Sequence, residues 1–408
     1  MERFTITRLG HLGDGVAMSD AGEAFAPFTL PGETIAAARS GDRLDEVTIE
    51  RESPDRIDPV CPHFGVCGGC ALQHASDAFI ASWKVGMIAA ALASRGLSAP
   101  MRPIDISPPG ARRRVSLAGR RTKKTVLLGY HGRADGAIVP IRACAVAHPD
   151  IAAALPVLAG MVGLTASRAG EARVAVTVSE TGLDVDLHGA KPLDGPLRQR
   201  LAAIAESADL ARLGYAGETV AMRRAPTQRF GRTRVTPPPG AFLQATCEGE
   251  AAMLAAIREA ISGAGRIADL FAGCGTFSLP LAEEAGILAV EADAGALTAL
   301  DAGWRAAPGL RAVRTEARDL FRRPLRPEDI KSVDAVVLDP PRAGALAQAQ
   351  EIARSAVPRV AMASCNPATF ARDARVLVDG GYALLWVKPV DQFRWSPHVE
   401  LVGAFARN

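Results

Sequence analysis

The stretch Arg266-Ile-Ala-Asp269-Leu-Phe271-Ala-Gly273-Cys274-Gly275-Thr276-Phe277 leaves few folds open to the chain. A short apolar run breaks into a glycine-rich turn, and the turn runs on into a helix. That unit builds open, mostly parallel α/β sheets. Gly273 and Gly275 let the backbone approach a ligand closely. Before it, Glu250–Ser262 reads as a helix broken by Gly263 and Gly265. After it, Ile287–Val290, Ala335–Leu338, Arg359–Ala363, Ala383–Val387 and Leu401–Phe405 read as strands. A long loop separates the last two, which suits an antiparallel end pair.

A carboxylate closes the second of these strands, in Glu291-Ala-Asp293. An acid about twenty residues beyond the glycine turn is placed to hold ribose hydroxyls. Dinucleotide enzymes carry similar turns, but Gly273-x-Gly275 lacks the third glycine that packs a pyrophosphate against the helix. S-adenosylmethionine has no phosphate, so Asp269-x-Phe-x-Gly-x-Gly fits that ligand better. Cys274 reads as a small residue filling the turn. The expected architecture is α/β, a Rossmann-like S-adenosylmethionine-dependent methyltransferase domain.

Asp339-Pro-Pro-Arg342 and Met362-Ala-Ser364-Cys365-Asn-Pro367 each end a strand. A cysteine there points into the crevice where open sheets bind ligands. An aromatic after Asp-Pro-Pro would suggest methylation of the adenine amino group, and Arg342 argues against it. A nucleophilic cysteine solves a different problem. Carbon 5 of a pyrimidine is too poor a nucleophile to take a methyl group unaided, and thiolate addition at carbon 6 makes it reactive. A base must then remove the carbon 5 proton. Glu400, in Ser396-Pro397-His398-Val399-Glu400, is available, with His398 the weaker candidate. Cys365 is expected to be partly ionised, in a polar or positive setting.

The first fifty-odd residues read differently. Phe4–Leu9, Gly15–Met18, Ala24–Phe28, Thr34–Ala38 and Asp45–Glu50 alternate in strand fashion between turn signals. They suggest a small closed barrel of the oligonucleotide-binding kind. Next come Cys61-x5-Cys67-x2-Cys70 on a glycine-rich loop, with Cys144 far downstream. A soft thiolate site of this kind fits an iron–sulfur cluster or zinc. Residues 76–95 form a helix capped by Ser76 and stopped by Gly96, with Phe79, Ile80, Trp83, Met87, Ile88 and Leu92 facing a core. From Arg112 to about Asp186 short strands alternate as in an antiparallel sheet.

Basic runs stand at Arg112–Arg114, at Arg120–Lys124, and at Arg223, Arg224, Arg229, Arg232 and Arg234. They can neutralise phosphates and shift the expectation toward RNA, which a net charge of +3 alone would not do. The chain of 408 residues has room for two or three domains. No segment has the length and apolarity of a membrane span, and the start carries no signal peptide. A cytoplasmic protein is expected, whose cysteines serve as ligands, nucleophiles or core residues rather than disulfides.

With these residues in view, the chain resembles the bacterial RNA uracil-C5 methyltransferases, above all the cluster-bearing 23S ribosomal RNA branch. Gly-Asp-Gly-Val-Ala followed by Pro-Phe-Thr-Leu-Pro-Gly-Glu resembles a TRAM domain. Cys61, Cys67, Cys70 and Cys144 look like the branch's 4Fe–4S site, and Pro-Gly-Ala-Phe242-Leu-Gln244 like its Phe-Phe-Gln element. The resemblance implies cofactor-binding roles for Gln244, Phe271, Thr276, Glu291, Asp319 and Asp339, a nucleophile at Cys365 and a proton-abstracting carboxylate at Glu400. No role is carried onto Thr246.

The expected layout is a TRAM-like barrel at 1–55, a central antiparallel α+β domain carrying the iron–sulfur cluster and RNA contacts at 56–240, and the methyltransferase domain at 241–408. The 76–95 helix is free to pack on that last domain. The implied partner is RNA, first 23S ribosomal RNA, with no membrane and no obligate protein partner. The alternatives are the same chemistry on transfer RNA, a zinc-bearing methyltransferase, and a non-catalytic RNA-binding assembly factor. Cytosine is disfavoured as target, because such enzymes commonly use two active-site cysteines in different motifs.

Overall fold

The computed structural model describes residues 1–133 and 136–407. Five strands, β1 (Glu2–Leu9), β2 (Gly15–Ser19), β3 (Gly22–Ala26), β4 (Thr34–Ser40) and β5 (Arg43–Arg51), close into a barrel in the order β1-β2-β3-β5-β4. Alternation explains it: Phe4, Ile6, Ala17, Ala24, Ala26, Ile35, Ala37 and Leu44 point inward and form its core. Closure leaves no open sheet edge.

The cysteine loop leads into α1 (Asp77–Ala93), capped by the Ser76 hydroxyl, which accepts from the Phe79 N–H. Its buried face is Ile80, Lys84, Ile88 and Leu92, so a lysine occupies a core position that the apolar spacing alone did not show, while Phe79 and Trp83 are only partly covered. The chain continues through β6 (Asp105–Ile106) into β7 (Arg114–Arg121), β8 (Val126–His131), β9 (Ile138–Pro140), α2 (Pro149–Thr165), β10 (Ala172–Ser179), β11 (Gly182–His188), α3 (Gly195–Ser207), β12 (Arg212–Tyr215) and β13 (Glu218–Met222). Seven of these strands make one sheet, β13-β12-β11-β10-β7-β8-β9, with α2 and α3 packed on it. A small hairpin, β14 (Gln228–Phe230) and β15 (Thr233–Val235), follows.

The remaining elements are α4 (Cys247–Ala260), β16 (Arg266–Leu270), α5 (Ser278–Leu281), β17 (Gly286–Glu291), α6 (Ala294–Ala306), β18 (Val313–Ala317), β19 (Ala335–Leu338), α7 (Leu346–Arg354), β20 (Arg359–Ser364), α8 (Pro367–Asp379), β21 (Tyr382–Asp391) and β22 (Glu400–Arg407). They form an eight-stranded sheet in the order β18-β17-β16-β19-β20-β22-β21-β6. β16 to β20 run parallel, and β22 is antiparallel to both β20 and β21, as the sequence suggested for the end pair. The strand order reverses between β16 and β19, which opens a crevice at their C-terminal ends. Two apolar clusters cover the faces of the sheet, one built on α4 and the other on α7, α8 and the end of α1. β6 pairs with β21, so the segment after α1 belongs to the edge of this sheet. Among the described residues, no helix is long and apolar enough to cross a membrane.

Candidate active site and cysteine cleft

Strand register brings the candidate residues together. β20 and β22 pair Ser364 with Leu401, so one further step sets Cys365 opposite Glu400. β19 pairs Leu338 with Met362 on the other side of β20, which places Asp339 beside Ala363, two residues before Cys365. Asn366 turns the chain into α8, its side chain accepting from the Ala368 N–H. Cys365 is therefore held at a strand end by a helix cap, partly exposed in the crevice.

The electrostatics correct one expectation. Burial pushes the Cys365 thiol up to about 11, and the carboxyls of Glu400 and Asp339 add to the shift; Arg342 opposes it only weakly. The free protein thus holds Cys365 as a thiol rather than as a partly ionised group. Glu400 is buried and pushed up to about 8, first by desolvation and then by Asp339, while a hydrogen bond with Gln392 works in the opposite direction. Asp339 rises to about 7 through burial and the neighbouring Asp269. Two carboxyls and a thiol share one pocket, with Glu400 buried and Cys365 partly exposed.

A chain of amides holds that pocket. Gln244 Nε2 donates to Asp339 Oδ2 at 3.3 Å, Gln392 Nε2 donates to Gln244 Oε1 at 2.7 Å, and the Ala245 N–H donates to Gln392 Oε1 at 2.7 Å. Gln392 was missed in the sequence. Its signal is a buried glutamine that ends an apolar strand, visible only once the partner side chains are in place. Thr246, left without a role, caps α4 by accepting from the Gly249 N–H, and its hydroxyl shares a 2.7 Å hydrogen bond with that of Ser107.

The glycine turn stands beside this pocket. Phe271, Gly273 and Gly275 all take positive φ, at 65°, 54° and 90°. A side chain at Gly275 would also meet Leu300 and Leu279, at 2.8 and 3.0 Å. Cys274 is buried in the turn as expected, and burial raises its thiol to about 12. Glu291 accepts from the N–H groups of Gly273, Ala292 and Asp293, at 3.1, 2.7 and 3.0 Å, so the carboxylate and the turn are locked together. Thr276 is partly exposed at the end of the turn. Asp319 accepts from the Phe321 N–H at 3.0 Å and from the Arg322 N–H at 3.3 Å.

Phe321 is half exposed, its ring 5.4 Å from that of Phe271. This exposed aromatic beside the crevice was also missed; its nearness to Asp319 in sequence was the available signal. Asp269 is buried with Oδ2 bonded by the Ser278 hydroxyl at 2.5 Å and with Oδ1 left unpartnered. An orphaned buried oxygen, aromatic rings and a carboxylate at the switch point suit a cationic nucleoside such as S-adenosylmethionine.

The second site is a cleft of about 980 Å³ between the barrel, the seven-stranded sheet and the segment joining β21 to β22. Cys61, Cys67, Cys70 and Cys144 all line it, and all are free thiols. Burial raises Cys67 and pushes Cys70 to about 11, and each also feels the charge of the other cysteines. The Gly69 N–H donates to Cys67 Sγ at 3.4 Å. Gly68 and Gly69 keep the loop tight, for a side chain at Gly68 would meet the His131 carbonyl at 2.6 Å.

Among the described residues, no three His, Cys, Asp or Glu side chains gather closely enough to hold one metal ion. Four cysteine sulfurs lining one cleft are the kind of soft donor set that an iron–sulfur cluster takes.

The basic runs fare unevenly. Arg113 is buried and paired with Glu250, Arg229 and Arg234 both engage Glu180, and Arg223 and Arg224 both engage Asp209. Arg114 lies 5.4 Å from the exposed Phe242 ring, and Arg112 lies 5.5 Å from Phe393. Arg121, Lys123 and Lys124 are exposed.

A family profile described as tRNA (uracil-5-)-methyltransferase matches residues 234–407. A protein of Caulobacter vibrioides described as an RNA methyltransferase is 45% identical, covering 100% of both chains. The 23S rRNA (uracil(1939)-C(5))-methyltransferase RlmD of Shewanella halifaxensis is 29% identical over 98% of this chain and 94% of its own. The crystal structure of the Pyrococcus abyssi tRNA (uracil-54, C5)-methyltransferase with S-adenosyl-L-homocysteine superposes with a TM-score of 0.79, at 20% identity and 99% coverage of both chains.

Proposed function

The chain belongs to the RNA uracil-C5 methyltransferase family, and we propose that its target is a uridine of 23S ribosomal RNA, methylated at carbon 5 through a covalent bond to Cys365. The observation that carries the chemistry is the placing of Cys365 opposite the buried Glu400, with Asp339 one strand away. S-adenosylmethionine supplies an electrophilic methyl group and a sulfonium charge that offsets the acidic field around the thiol. Gln244, Phe271, Gly273, Gly275, Thr276, Glu291, Asp319 and Asp339 hold the donor in the crevice.

Cys365, once ionised, adds through sulfur to carbon 6 of the uracil, and the ring electrons move to the carbon 4 oxygen as an enolate. The enolate's return makes carbon 5 the nucleophile, and the carbon–methyl bond forms there as the donor's sulfur–methyl bond breaks and S-adenosylhomocysteine leaves. Glu400, in its ionised form, then takes the carbon 5 proton, the ring double bond re-forms, and the sulfur leaves as thiolate. Gln392 and Gln244 fix the two acidic side chains for these steps. Enolate formation requires the base to lie out of its stack, so loop uridines are the natural substrates.

In this reading the barrel at 1–55 and the sheet within 56–240 grip RNA, and 241–408 carries the chemistry. Cys61, Cys67, Cys70 and Cys144 hold a 4Fe–4S cluster that shapes the RNA-binding part and takes no step in the transfer. The site is cytoplasmic in this account, where ribosomal RNA is modified. Transfer RNA is the second reading, favoured by the family profile and by the Pyrococcus structure.

The test is methyl transfer from labelled S-adenosylmethionine to unmodified 23S ribosomal RNA and to transfer RNA, side by side. The proposal expects 5-methyluridine in the ribosomal RNA. Label in transfer RNA alone overturns the substrate assignment, and transfer to neither overturns both.

A further inference from the structure

We propose that the cysteine site is a positioning device for the catalytic carboxylate, acting through the strap that joins β21 to β22. The inference rests on the cluster reading above and adds a consequence for the active site.

The strap borders both sites. On its outer side Phe393, Ser396, Pro397 and His398 line the cleft that the four thiols line. On its inner side Gln392 bonds to Gln244 and to Glu400, and the strap itself runs into β22 at Glu400. Between them sits Trp395. Cys70 is followed directly by Ala71 and Leu72, and both of their N–H groups donate to the Trp395 carbonyl, at 2.8 and 3.0 Å. The indole is buried in a cluster with Leu9, Leu30, Ala71, Leu72, Ala75 and Ile80, against which Cys70 packs.

Trp395 has φ of +60°, a left-handed conformation that a bulky aromatic adopts only when its surroundings dictate it. Those surroundings are the residues next to Cys70. The rest of the strap is tied to α1, through Lys84 Nζ donating to the Phe393 carbonyl at 3.1 Å and through Arg394 pairing with Asp77. The Trp395 turn is thus the point at which the shape of the cysteine loop reaches the strap.

The loop from Cys61 to Cys70 carries Gly65, Gly68 and Gly69 and has little regular structure of its own. A cluster held by Cys61, Cys67 and Cys70 from this loop and by Cys144 from the segment joining β9 to α2 fixes the loop's end, and with it the two N–H donors. Removing the cluster frees Ala71 and Leu72, lets Trp395 relax toward an extended conformation, and turns Glu400 and Gln392 out of register with Cys365. Cluster loading then decides whether the proton-abstracting carboxylate stands in place.

The experiment compares full-length protein reconstituted anaerobically with ferrous iron and sulfide against the same protein stripped by a chelator. Iron and sulfide content with visible absorption report loading, and amide hydrogen exchange reports the strap. Stripping is expected to speed exchange at Ala71, Leu72 and residues 393–400 by tenfold or more, with residues 266–270 and 335–338 unchanged. Cys144→Ser, which leaves the 61–72 loop sequence intact, is expected to reproduce the stripped pattern. Protein that takes up no iron and sulfide at these thiols overturns the cluster reading and the inference with it. Protein that loads but exchanges equally in both states overturns the positioning device alone.

Discussion

At the scale of single residues, burial shifts the site's acids toward their neutral forms. Glu400 rises to about 8 and Asp339 to about 7, both chiefly through burial, far above an ordinary carboxyl. The folded state therefore holds a proton on Glu400 that the unfolded chain gives up at much lower pH. Stability from this group is fully present below the unfolded value and is lost as the pH climbs through about 8. Glu400→Gln, which cannot ionise, is expected to flatten that loss: measured by urea unfolding, its advantage over the wild type grows from pH 5 to pH 8. An advantage that does not change with pH contradicts the assignment. The placement of Cys365 and Glu400 at strand ends was legible in the sequence, because apolar runs and motif spacing mark those ends. The protonated state of Cys365 was not, since desolvation depends on neighbours that only the folded sheet supplies.

At the scale of elements, the buried ion pair between Lys84 of α1 and Asp391 at the end of β21 matters most. Nζ stands 2.6 Å from Oδ1, both side chains are out of contact with solvent, and Asp391 also accepts from the Phe393 N–H at 3.0 Å. Removing one partner from such a pair leaves a buried charge and costs about 3–5 kcal/mol. Lys84→Met is expected to lose that much in denaturant unfolding, and adding Asp391→Asn to recover most of it. A loss under about 1 kcal/mol in the single variant would contradict a structural role for the pair.

The sequence hid this lysine because a cation reads as solvated surface unless its partner, more than three hundred positions away, is known. The barrel strands were readable because period-2 alternation and glycine turns are local signals. α2 was not read, being apolar on most sides and holding Pro156 within it. β18 also escaped: it is an edge strand whose Arg314 is exposed and which has only Val313 buried.

At the scale of the whole molecule, charge must be judged after internal pairing. Arg229 and Arg234 are engaged by Glu180, whereas Arg121, Lys123 and Lys124 are exposed on the seven-stranded sheet's β7–β8 hairpin. Each phosphate contact removed lowers the slope of log affinity against log salt by about 1. Replacing Lys123 and Lys124 by alanine is expected to lower that slope for RNA binding, and replacing Arg229 and Arg234 to leave it nearly unchanged. The reverse ordering would move the RNA to the other face.

The covalent step is tested most directly by trapping. Glu400→Gln, incubated with S-adenosylmethionine and substrate RNA, is expected to lose turnover by about 10²–10⁴-fold and to accumulate a denaturation-resistant protein–RNA adduct. Mass spectrometry of the digested adduct should place a methylated uridine on Cys365, and Cys365→Ala should form none. An adduct on another residue, or full turnover by Cys365→Ala, would contradict the account.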